Sequence, residues 1–128
     1  MEKKIKLKIT TISTGNPVSV IKGEGTYREK DGRVLITQID GENNKTAFII
    51  TEEKIMLIRR SPYYQLKIPV KANEETNGIM GEENIFTVLG KTALFEKSKK
   101  SGRAYLEYTL PDLSDESADF KVELEFEF

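Results

Sequence analysis

Apolar and polar residues alternate along much of the chain with a period of two. Ile5, Leu7 and Ile9 alternate with Lys4, Lys6 and Lys8. Near the other end, Phe120, Val122, Leu124, Phe126 and Phe128 alternate with Lys121, Glu123, Glu125 and Glu127. Successive side chains of a strand point to opposite faces, so each run predicts a strand with one buried face. Between them, turn chemistry recurs at short intervals. Gly15-Asn16-Pro17 ends the first strand, and a second follows over 18–28. Gly23 and Gly25 inside it predict a bend or bulge. Asp31-Gly32 predicts a tight type I′ hairpin, because that turn needs positive φ at both central residues.

Further strands are predicted over 33–39, 46–51, 54–60 and 63–70, with Glu52-Glu53 as a tight turn and Ser61-Pro62 as an interruption. The stretch 71–84 holds Asn77-Gly78, Gly81 and four Glu, with only Ile79 and Met80 as large apolar groups, and reads as a long loop. A strand over 85–97 bends at Gly90. Ser101-Gly102 turns into a strand over 103–110, an acidic loop covers 111–118, and the last strand covers 119–128. No segment has a helical period. The fold class is therefore all-β, a single domain over 1–128, with a sandwich and an antiparallel barrel as the candidate architectures.

Charge separates the two. Residues 1–71 hold 14 basic and 8 acidic side chains, whereas 72–128 hold 6 basic and 13 acidic. The contrast is sharpest between the lysines of the first strand and the glutamates of the last. Opposite charges on paired strands contribute about 0.2–1 kcal/mol each. Ile5, Leu7 and Ile9 also match Val122, Leu124 and Phe126. Pairing the two ends removes both exposed edges, which predicts an up-and-down barrel of about eight to ten strands.

Composition narrows the chemistry. The chain has 128 residues, a net charge of -1 and no His, Cys or Trp. Catalysis by Ser-His-Asp or Cys-His, Cys/His zinc sites, disulfides and thiol redox are excluded. No acid–base pair stands out among the remaining residues, so the chain reads as a non-enzyme without a cofactor or metal. A near-neutral charge argues against nucleic acid as a partner. No apolar run approaches the roughly 20 residues of a membrane span, and the start lacks the apolar core of an export signal, so no membrane partner and a cytoplasmic location are expected.

Two features invite a functional reading. Arg59 shares a strand face with Ile55 and Leu57 at a strand end beside the Ser61-Pro62 break. If that face is the interior, Arg59 can receive the polar end of a small apolar or carboxylated ligand, with Tyr63 or Tyr64 nearby and Ile55 and Leu57 as the deeper wall. The competing placement, favoured for a long cation, is at the rim beside a loop Glu. Strands three to five are also apolar on both faces. Phe48, Ile50, Met56 and Ile58 read as one face, covered either by the chain itself or by a second copy in a homodimer.

Several segments resemble the YwiB-like family of small bacterial proteins. They are Gly25-Thr26-Tyr27, Leu57-Ile58-Arg59, the strand from Phe86 to Phe95, Gly102-Arg103-Ala104-Tyr105 and the alternating C-terminal strand. Where that family shows Arg-x-Gly at the strand end, this chain has Arg59-Arg60-Ser61-Pro62. The resemblance implies a lipocalin-like (calycin-type) barrel, a shape that often holds one small apolar ligand. A non-catalytic ligand-binding barrel is the leading functional expectation, and an interaction protein working through a dimer or partner surface is the alternative.

Overall fold

A computed structural model describes residues 2–39, 42–111 and 118–128. Ten strands follow one another: β1 (Glu2–Ser13), β2 (Ser19–Lys30), β3 (Arg33–Ile39), β4 (Lys45–Ile50), β5 (Ile55–Arg60), β6 (Gln65–Val70), β7 (Glu75–Met80), β8 (Asn84–Lys97), β9 (Ser101–Leu110) and β10 (Ala118–Glu127). Each pairs antiparallel with its sequence neighbours, and β1 pairs with β10, so the sheet closes into an up-and-down barrel. Most of the expected loop at 111–118 lies outside the described residues. No helix among the described residues is long and apolar enough to cross a membrane.

The seam joins the ends as the alternation predicts. Leu7 faces Phe126, Ile9 faces Leu124 and Thr11 faces Val122, all turned inward. On the outside Lys6 stands opposite Glu127 and Lys8 opposite Glu125. Glu123 falls opposite Thr10, and Lys4 lies past the end of the β10 register and faces Thr26 of β2. Asp31 and Gly32 have φ of 53° and 77°, as a type I′ turn requires.

Three expectations are corrected. The segment 71–84 is not one long loop, because β7 occupies Glu75–Met80. Its sequence lacks alternation, but six residue pairs zip it to β8, and Gly81 at φ 70° turns the hairpin. Glycines in β2 make no bulge, since the β1–β2 register runs unbroken through Gly23 and Gly25. Gly25 instead sits where a Cβ would meet the Thr37 carbonyl oxygen and the Leu7 side chain. The register does shift between Gly90 and Thr92, at the bend expected in β8.

The third correction concerns the proposed outer face. Phe48 pairs with Leu57 and Ile50 with Ile55, so Phe48 and Ile50 point into the barrel and are buried. Met56 and Ile58 pair with Ile49 and Ala47 and face outward. An antiparallel pair joined by this turn couples odd with even numbers, so residues of equal parity on β4 and β5 lie on opposite faces. The set Phe48, Ile50, Met56 and Ile58 is therefore not one contact surface.

The core is the lumen. Ile9, Tyr27, Ile36, Phe48, Ile55, Leu106 and Leu124 are among its most deeply buried side chains. One end is plugged by aromatics: Phe128 packs edge-on against Tyr27 with centroids 4.9 Å apart, and Phe95 stacks on Phe126. Two substitutions test this packing by urea unfolding. Leu124→Ala should cost about 2–5 kcal/mol, as a cavity in a filled core does. Gly90→Ala should cost about 1–3 kcal/mol, because the new methyl falls on the Lys71 backbone carbonyl.

Candidate functional site

At the end of the barrel away from the aromatic plug, the lumen opens into a cavity of about 410 Å³. Leu57, Leu66, Ile68, Phe86, Leu110 and Val122 form most of its wall, with Met80 and Ile85 at the lip. This end is bordered by the C-terminal ends of β1, β5, β7 and β9.

Polar groups gather near the opening. Gln38, Thr46 and Arg59 stand side by side on β3, β4 and β5, one step beyond the apolar row Ile36, Phe48 and Leu57. Gln38 and Thr46 are buried. Arg59 is half-buried and reaches across the lumen, where its Nη2 donates to Thr11 Oγ1 on β1 at a long 3.4 Å. Its Nε is buried and has no hydrogen-bond partner among the described residues. A buried charged donor left without any partner costs about 1–3 kcal/mol, so this N–H is the polar group of the site with the most to gain from a hydrogen-bond acceptor.

Tyr108 lines the same cavity and is 3% exposed. It stacks on Phe120 with centroids 5.2 Å apart. Burial pushes its pKa up to about 12, and the Arg59 charge pulls weakly the other way. At neutral pH it is a neutral phenol that can donate a hydrogen bond.

The sequence-predicted residues divide. Arg59 and Leu57 line the cavity. Ile55 is buried one row deeper, in the packed core, and is not a lining residue. Tyr63 and Tyr64 lie in the turn between β5 and β6, where the Ser61 hydroxyl accepts both of their backbone N–H groups. Tyr63 is 94% exposed, and neither tyrosine lines the cavity. The tyrosine that does is Tyr108, brought in from β9 by a pairing too distant to read locally. Gln38 and Thr46 left a legible signal: polar residues on the inward phase of otherwise apolar strands.

A second, open depression of about 970 Å³ lies on the outside over Lys6, Lys8, Arg103, Glu125 and Glu127. It is a charged surface with no unpaired buried donor.

Fold and site together define a closed ten-stranded barrel, plugged at one end and open at the other beside a row of polar side chains. The chain is similar to a solved protein of this shape, the YwiB protein from Bacillus subtilis. The TM-score is 0.77 at 14% identity, over 98% of this chain and 92% of that one. At that identity the likeness establishes the fold alone. No family model matches the chain, and no curated protein matches it in sequence.

The burial of Tyr108 has a consequence for stability. Its folded pKa is raised above the unfolded value near 10, so its contribution is complete below about pH 10 and is lost as pH rises towards 12. Tyr27, raised to about 12 by burial and then by its hydrogen bond to Glu29, acts in the same sense. Urea midpoints taken at about pH 9 and about pH 11 should fall less in Tyr108→Phe than in the wild type.

Proposed function

We propose that this protein is a non-catalytic carrier or sensor of a small acidic amphiphile, held in the lipocalin-like barrel with its acidic group on Arg59. The observation that carries this reading is the buried, unpaired Arg59 Nε at the head of an apolar cavity. Nε and Nη2 form one edge of the guanidinium, and that edge offers two parallel donors to a planar carboxylate. Its partner among the described residues, Thr11, is held at a distance a ligand oxygen would improve on.

Size supports a modest ligand. A cavity of 150 Å³ accepts a six-carbon ring, so about 410 Å³ accommodates on the order of a dozen to sixteen heavy atoms. A medium-chain or aryl-substituted monocarboxylate fits this volume and polarity. Selectivity comes from the site itself, because a net charge of -1 provides no long-range steering of anions.

Calorimetric titration with decanoate and decanol tests the reading. Decanoate should bind the wild type and lose roughly tenfold to a hundredfold in Arg59→Met, as expected for one charged hydrogen-bonded pair. Decanol should bind both proteins alike. A wild type that takes up neither compound, nor longer and shorter homologues, contradicts the carrier reading.

A further inference from the structure

The outer wall of the barrel has a composition that the lumen does not explain. Along β2 to β6 the outward strand positions carry seven cations, Lys22, Arg28, Lys30, Arg33, Lys45, Arg60 and Lys67, against one acid, Glu24, with Glu29 and Asp31 beside Lys30 and Arg33 at the β2–β3 hairpin. The same wall is apolar at its centre. Leu35, Ile49, Met56 and Pro69 form one cross-strand row beside Arg28, and Ala47, Ile58 and Ile79 share the next with Lys67. Towards the open end, the apolar character becomes exposed: Ile39 is 65% accessible, and Ile79, Tyr63 and Tyr64 are exposed as well.

We infer that this wall, with its edge at the open end, docks on an anionic lipid bilayer. Charge complementarity carries the assignment. Cations that flank aliphatic groups place their charges among anionic headgroups while the apolar side chains reach the acyl boundary, and tyrosine is enriched at that depth. A second copy of the chain is a poor occupant, because a two-fold contact sets this cationic wall against itself. Single-stranded nucleic acid is a poorer one, since the centre offers Met56, Ile49 and Ile58 rather than a row of stacking rings. The sequence expectation of no membrane partner rested on the lack of a spanning run, which a surface contact does not need. This inference is independent of the ligand in the lumen, although a wall docked near the open end brings that end close to the lipid.

Co-sedimentation with vesicles tests it. The probes are phosphatidylcholine vesicles with and without phosphatidylglycerol, at low and high salt. Wild type should pellet with the anionic vesicles, less so at high salt and little with phosphatidylcholine alone. Each cation near an anionic surface multiplies partitioning by roughly fivefold, so the triple variant Arg28→Glu, Arg60→Glu, Lys67→Glu should lose far more than tenfold. Lys99→Glu with Lys100→Glu, exposed in the β8–β9 turn away from this wall, should retain most of the binding. Thermal melts of both variants establish that they are folded. Wild type that stays in the supernatant with anionic vesicles overturns the inference. So does an equal loss from the β8–β9 turn variant, or tighter binding to single-stranded RNA than to vesicles.

Discussion

The pairing of β1 with β10 is the constraint on which the rest of the structure depends. A ten-stranded open sheet would leave two edges of unpaired backbone groups and an inner face with nothing to pack against. Closing it turns that face into a lumen and makes every strand interior to the sheet. The closure is written in two matched alternations: the β1–β10 register sets Leu7 opposite Phe126 and Ile9 opposite Leu124 inside, and Lys6 opposite Glu127 and Lys8 opposite Glu125 outside.

The closed lumen is filled by side chains at one end and left open at the other. Tyr27, Phe95, Phe126 and Phe128 pack the plugged end, and Gly102 leaves space where the Phe126 ring lies. At the other end the inward positions turn polar, through Gln38, Thr46, Thr11 and Arg59, and the space among Leu57, Ile68, Phe86 and Val122 is left open. The guanidinium spans the lumen to the Thr11 hydroxyl, and its Nε has no partner among the described residues. A purely structural role would be met by an apolar residue at this position without that cost. This arrangement is the observation on which the proposed carrier reading rests.

Strand order, closure, the Asp31-Gly32 turn and the bend at Gly90 were legible in the sequence because they rest on local chemistry and on a period of two. Two kinds of information were not. Register across a turn decides which residues of neighbouring strands share a face, and a one-residue difference moved Phe48 and Ile50 inside while Met56 and Ile58 stayed outside. Strand β7 escaped notice because its pairing with β8, and not its own alternation, holds it in place. For the site, Arg59 was identifiable from its place on an apolar face at a strand end. Its neighbours were not: Thr11 and Tyr108 arrive from β1 and β9 through closure, while Tyr63 and Tyr64, adjacent in sequence, turn out to solvent.

The central claim is that the bare Arg59 Nε–H receives an acidic group, and nitrogen-15 NMR of the arginine side chains observes that proton directly. On addition of decanoate the Arg59 Nε–H resonance should move markedly downfield, as a new charge-assisted hydrogen bond forms. Decanol, entering the same cavity, should shift the surrounding methyl resonances and leave Arg59 nearly unmoved. A decanoate titration that perturbs the lumen methyls while the Arg59 Nε–H stays in place would contradict the account.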